Sequence, residues 1–288
     1  MEFICYYENA RFAYLSDHFK KNGFKQVGNH IDGMRKVAVF IEKDFNFYID
    51  CIDREYPNSA HGTVKHANGK PFLYFKTAYS PIESKNIINI IENGGGTIEP
   101  FFKWCGANLS DGFFKELYPV RKQFIKLQRE SKKLYDIGYC CSFTNHAVKK
   151  VSELRMDFYN KFKNQLGDKF FHNEKLKYKD YIQESLKWKL SFNCPGVGEY
   201  TSRMMDSSSI GIAPLLRKTT YDNAISWKRY FPEIDFELDN WQNELSNIID
   251  NYKEWGDKSL YYYETHWSSQ AIFNYLMNRV TEFKEKLK

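Results

Sequence analysis

KLSFNCPGVGEYTSRMMDSSSIGIAPLLRKTTYDN, residues 189–223, decides how the chain is read. An apolar run ends at Phe192, Cys194-Pro195-Gly196-Val197-Gly198 interrupts it, a helical pattern covers 199–209, and Ile210-Gly211-Ile212-Ala213-Pro214-Leu215-Leu216 closes the stretch. This order predicts strand, tight loop, helix, strand. Two glycines between a strand and a helix let backbone N–H groups approach an anion, and the helix N-terminus adds a favourable dipole. Arg203 falls one turn into that helix, while Arg217 and Lys218 follow the next strand, so three cations converge on the carboxyl edge of one sheet. A diphosphate suits such an edge. The plainer alternative is that any parallel α/β sheet contains such units, and Gly-x-Gly alone is a weak signal.

Outward from this stretch, two α/β series emerge. In the first third, residues 1–7, 37–41, 45–52 and 70–75 read as strands. Phe12, Leu15 and Phe19 recur at helical spacing, and Ile82, Ile87, Ile88 and Ile91 share the face of a helix that ends at Gly94-Gly95-Gly96. Residues 113–134 form a charged amphipathic segment, which reads as a solvated connecting helix. A new buried strand follows over 136–143, and helical patterns cover 176–188, 239–251 and 268–287. The expected division is 1–132 and 133–288, with the boundary near Lys132.

Length and composition frame this reading. A chain of 288 residues is long enough for two α/β domains of ordinary size, each with its own core. A mean hydropathy of -0.62 together with 27% charged residues describes a water-facing surface. No apolar run approaches a membrane span, and MEFICYYENARF lacks the features of a secretory leader, so the expected location is cytoplasmic. Peripheral contact with a membrane surface stays open. The formal charge of +6 favours an anionic partner, whether a nucleotide-sugar, an acidic glycan, a membrane surface or DNA. Six cysteines without a Cys-x-x-Cys pair read as buried thiols, and the histidines show no metal-ligand spacing, so no metal site is expected.

Several short motifs add a resemblance. Cys194-Pro195-Gly196-Val197-Gly198, then Tyr200-Thr201-Ser202-Arg203, then Ser209-Ile210-Gly211 before the strand with Pro214, resemble the donor-binding half of GT-B glycosyltransferases. They are most similar to the exostosin-like and CAP10-like groups, and Tyr200-Thr201-Ser202-Arg203 echoes the α-1,3-fucosyltransferases. Upstream, Cys141-Ser142-Phe143-Thr144-Asn145, followed by Arg155 and Phe158-Tyr159, is similar to the strand, polar loop and arginine-bearing helix that open the donor domain there. The passage Tyr230-Phe231-Pro232-Glu233-Ile234 also resembles the run toward the final helix. The resemblance covers about the C-terminal half, from Asp136 onward. It implies two Rossmann-like domains facing across a cleft, a C-terminal helix crossing back to the first, and a nucleotide-sugar co-substrate without a cofactor.

Residue roles follow from the resemblance. Arg203 is expected on the diphosphate, with Gly196 and Gly198 giving backbone access and Tyr200, Thr201, Ser202, Arg217 and Lys218 around it. The plain alternative for Arg203 is an ordinary helix-surface arginine. Asp206 stands five residues before Gly211, the spacing kept by the second acid of the GT-B acidic motif, which implies a grip on the ribose hydroxyls. Glu199 sits one residue short of the first acid's position and suits N-terminal helix charge. Ser142, Thr144 and Asn145 line the opposing loop, or simply cap it. A base near the acceptor hydroxyl is sought on first-domain loops, where Glu8, Asp50 and Asp53 are the candidates, although each alone also fits a solvated loop acid. The implied activity is transfer of a sugar from a nucleotide-sugar to a hydroxyl, by default on a surface glycan. A hydroxylated base in phage-type DNA is the rival acceptor, and a catalytically silent sugar- or nucleic-acid-binding module on the same fold is the rival class.

Overall fold

A computed structural model describes residues 1–4, 18–28, 31, 34, 37–50, 57–77, 79–80, 84–101, 117, 120–143, 149–193, 202–218 and 225–288. In chain order its elements begin β1 (Glu2–Ile4), β2 (Lys25–Gly28), β3 (Val37–Ile41), β4 (Asn46–Asp50), α1 (Pro57–Ala67), β5 (Phe72–Lys76), α2 (Lys85–Asn93) and β6 (Gly96–Pro100). They continue with α3 (Arg121–Glu130), β7 (Tyr135–Tyr139), α4 (Lys149–Leu166), β8 (Phe170–His172), α5 (Tyr178–Ser185), β9 (Trp188–Phe192), α6 (Ser202–Ser209) and β10 (Ala213–Arg217). Last come β11 (Glu233–Ile234), α7 (Trp241–Asp250), α8 (Tyr252–Tyr262) and α9 (Ser269–Lys286).

The chain forms two compact α/β units, the two-domain class expected from the sequence. One comprises Met1–Ala107, Thr220–Ser226 and His266–Lys288; the other comprises Asn108–Thr219 and Trp227–Thr265. The division therefore follows Ala107 and not Lys132. The charged helix α3 is the reason, because its cations are engaged inside the second unit: Arg121 pairs with Glu264 at 2.6 Å and Arg129 with Asp257 at 2.9 Å. The C-terminal segment carrying α9 belongs to the first unit, as expected.

In the first unit six strands lie in the order β2-β1-β3-β4-β5-β6. All run the same way except β3, which is antiparallel to both β1 and β4. Alternation along the strands divides the core. Val39, Tyr48, Phe72 and Tyr74 pack with Ala60 and Ala67 of α1 and Ile87 and Ile91 of α2. A separate aromatic stack joins Phe3 to Phe40 at 5.5 Å and Phe40 to Phe47 at 4.2 Å, and Phe273 of α9 meets Phe19 at 5.3 Å. Burial of each such ring contributes about 1.5–3 kcal/mol. Helix α9 is held further by Arg279, which pairs with Glu99, and by Phe283 against Phe45.

Helix α1 (Pro57–Ala67) has no counterpart among the helical patterns read from the sequence. Its inward positions carry Ser59, Ala60, Thr63 and Ala67, small residues that let α2 come close without giving an apolar rhythm. Gly94, at the end of α2, records that closeness: a Cβ there would lie 2.5 Å from Val64 Cγ2.

The second unit holds an all-parallel five-stranded sheet in the order β11-β10-β9-β7-β8. On one face Tyr139, Leu190, Phe192 and Leu215 pack with Phe158 and Phe162 of α4 and with Trp241, Leu245 and Ile248 of α7. Cys140 and Ser191 belong to the alternate set, beside Tyr181 of α5. Gly138 is required in β7 because a Cβ there would lie 1.9 Å from the indole of Trp188.

Candidate functional site

Numbered within its own unit, the second sheet has strand order 2-1-3-4-5. In an open parallel sheet of this order the chain leaves the first and third strands in opposite directions, and ligands bind at that switch point, beyond the strand carboxyl ends. The first and third strands are β7 and β9. In sequence their carboxyl ends lead into the two motif stretches 141–145 and 194–198, of which residues 141–143 are described.

The β7 loop is firmly built where it is described. The ring of Phe143 stacks on His172, with centroids 4.6 Å apart, and Asn173 N donates to the Tyr139 carbonyl at 3.2 Å. Ser142 Oγ and the Phe143 backbone N–H both donate to Glu174 Oε2 at 3.3 Å. Arg155 Nη1 donates to the Ser142 carbonyl at 2.7 Å, so the arginine of α4 serves the loop backbone. A hydroxyl and an N–H that converge on one exposed carboxylate oxygen form a small anion-binding corner. Sequence reading named Ser142 but not Glu174, which follows a strand of only three residues and lies in a polar run that carries no signal.

Helix α6 opens beyond the β9 loop and bears Arg203 and Asp206 one turn apart. Arg203 is partly exposed, and its charge acts on Cys140, Tyr181 and Asp206. Asp206 is 2% exposed and accepts a hydrogen bond from Tyr178 Oη of α5 at 3.1 Å. Burial pushes its carboxyl up to about 7, opposed by the Tyr178 hydrogen bond and the Arg203 charge. Burial likewise raises the Tyr181 phenol and moves the Cys140 thiol up to about 12. Asp206 thus sits on the inward side of α6, behind Arg203, in place of the open ribose-binding position implied by the family spacing.

Past β10, Lys218 Nζ lies 3.2 Å from Asp235 Oδ2 in an exposed pair, and Arg217 is half-buried at the strand end. Hence Arg203, Arg217, Lys218 and Ser142 all belong to the carboxyl edge of one sheet. Thr144, Asn145, Gly196, Gly198, Tyr200 and Thr201 lie outside the described residues, as do Glu8 and Asp53. Asp50 is described, and it is fully buried: Tyr74 Oη donates to its Oδ2 at 2.6 Å and Lys76 Nζ lies 3.5 Å from the same oxygen. That carboxylate is engaged within the sheet. Among the described residues no cluster of three or more His, Cys, Asp or Glu side chains is arranged for a metal ion, and no helix is long and apolar enough to cross a membrane.

The fold defines a class: a two-unit α/β protein whose second unit is a parallel sheet with a switch point flanked by cations. By sequence the chain matches no protein family and no curated protein. By structure it is similar to WaaG, a glycosyltransferase involved in lipopolysaccharide biosynthesis, with a TM-score of 0.39 at 12% identity, over 91% of this chain and 80% of that one.

Proposed function

We propose that the chain is a glycosyltransferase that seats the diphosphate of a nucleotide-sugar at the carboxyl edge of the second sheet and transfers the sugar to a hydroxyl of a glycan. The observation that carries this reading is the reversal of strand order between β7 and β9, with the arginine-bearing helix α6 opening there. The motif resemblance of residues 194–203 and 209–214 supports it independently of the topology.

The chemistry asked of the site is modest. As the bond from the sugar to the leaving oxygen breaks, negative charge grows on the diphosphate, and Arg203 with the N–H groups at the start of α6 stabilises it more in the transition state than in the ground state. The acceptor oxygen forms the new bond and gives its proton to a base. Asp206 acts from behind, as a buried support for α6 and a partial counter-charge to Arg203. Protein cations supply the neutralisation, so turnover proceeds without a divalent metal; loss of activity in EDTA, restored by manganese, overturns that point.

The direct test is thermal melting against UDP-, GDP-, ADP- and CMP-sugars. A ligand that binds only the folded protein raises Tm, and one nucleotide class is expected to do so. No shift with any of them at millimolar concentration defeats the proposal. Nucleotide release is then measured with glycan acceptors and with hydroxymethylated DNA, the latter favoured only by net charge.

A further inference from the structure

A cavity of about 230 Å³ opens where β7 and β10 begin, at the amino edge of the second sheet and away from the donor edge. Gln128 and Arg129 at the end of α3, Lys133 before β7, Gly211 before β10, and Tyr252, Lys253 and Asp257 at the start of α8 line it. Three of these seven residues are cations. One carboxylate faces them, and it is already engaged, since Asp257 pairs with Arg129.

Lys133 is the unusual member. Its ammonium donates to two carbonyls, Gln128 O at 2.7 Å and Leu186 O at 2.8 Å, and among the described residues no carboxylate pairs with it. Burial lowers its affinity for the proton to about 8. A half-buried ammonium satisfied only by neutral carbonyls lacks a full counter-charge. The start of α8 adds to the imbalance: Asn251 occupies the N-cap position but makes no side-chain cap, and its amide turns back to the Asn247 carbonyl at 2.8 Å. Asn251 thus offers the first turn of this eleven-residue helix no side-chain cap, and the one acid of that turn, Glu254, pairs with Lys258 at 2.7 Å.

We propose that this cavity binds a small phosphate-bearing anion, held by Lys133, Lys253 and the uncapped N-terminus of α8. Its volume lies below the roughly 300 Å³ at which drug-sized ligand pockets begin, so the ligand is a phosphate or a compact phosphate ester and not a whole nucleotide-sugar. The plainer role for Lys133, as a cap on two helix-end carbonyls, needs no ligand and makes no demand on Lys253.

Isothermal titration with sodium phosphate at constant ionic strength tests the site. A binding event that persists in the Arg203→Ala protein is expected, weakened about tenfold by Lys253→Ala and further by Lys133→Met. Lys253 is exposed, so its replacement keeps the test decisive even if Lys133→Met does not fold. Any phosphate binding that Arg203→Ala removes belongs to the donor edge, which separates the two sites. Sedimentation with phosphatidylcholine vesicles containing phosphatidic acid repeats the comparison for a lipid headgroup; Lys253-dependent pelleting without free-phosphate binding assigns the source to the headgroup. Absence of both signals, or signals that neither lysine substitution changes, overturns the proposal.

Discussion

The phenol of Tyr178 donates to the carboxylate of Asp206 across 3.1 Å, joining α5 to α6 behind the one cation that α6 presents. Burial outweighs this hydrogen bond and the nearby Arg203 charge, so the carboxyl titrates in the folded chain near 7, well above its ordinary value of 3.8.

That displacement has a sign. An acid whose folded value is raised holds its proton longer in the native state, so unfolding releases the proton and stability falls as pH rises between the two values. The decline approaches roughly 1.4 kcal/mol per pH unit at its steepest and ends above the folded value. Asp206→Asn removes the titration. Denaturant unfolding from about pH 4 to 8 should show the two proteins alike in acid and the variant relatively more stable as pH rises; parallel curves would count against the buried acid.

Arg203→Ala should weaken nucleotide binding by about one to two orders of magnitude, the equivalent of roughly 1.5–3 kcal/mol of charge-assisted contact. Arg203→Lys keeps the charge but loses the planar fork, and should fall between the two. Because Arg203 is partly exposed, both variants should melt within a few degrees of the parent. An alanine variant with normal folding and unchanged affinity passes the role to Arg217 or Lys218.

Gly138→Ala places a methyl group 1.9 Å from the Trp188 ring in the middle of a packed sheet. Overpacking of this kind costs about 1–3 kcal/mol, and more where the neighbour cannot move. A Tm well below that of the parent is expected, with partial recovery on adding Trp188→Leu. Equal Tm values for parent and Gly138→Ala would show that the ring yields freely.

Asp50 and Lys76 are register partners on β4 and β5, with side chains exposed by 0% and 1%. Removing one member strands a buried charge, at a cost of about 3–5 kcal/mol, whereas removing both is far milder. Lys76→Met alone should therefore unfold at lower urea than the double variant Asp50→Leu with Lys76→Met. The reverse order would mean that the pair is not coupled in the folded chain.

Much of this architecture was legible because long apolar runs and strong helical rhythms leave a trace in the sequence. The runs around Ile137, Leu190 and Leu215 became the central strands of the second sheet, and the helix after the glycine loop became α6. Short edge strands were not legible: β8 and β11 have three and two residues and owe their pairing to the neighbouring strand. Helix α1 escaped because its buried face is made of small residues. At the candidate site, Arg203 and Ser142 stood out by type and spacing, while Tyr178 and Glu174 did not. Their roles come from the folding of α5 and β8 against α6 and β7, a tertiary fact with no local signature.

The discontinuity of the first unit carries a consequence for biosynthesis. Its aromatic stack is closed by Phe273, and Phe45 is covered by Phe283, both from a segment that leaves the ribosome after the whole of the second unit. The second unit ends at Thr265 and can fold while the following segment is still being made, but the earlier-made sheet must wait with its phenylalanines uncovered. During that interval the nascent chain offers chaperones their binding surface, and a stop codon before α9 should yield insoluble protein even though the entire second unit is present.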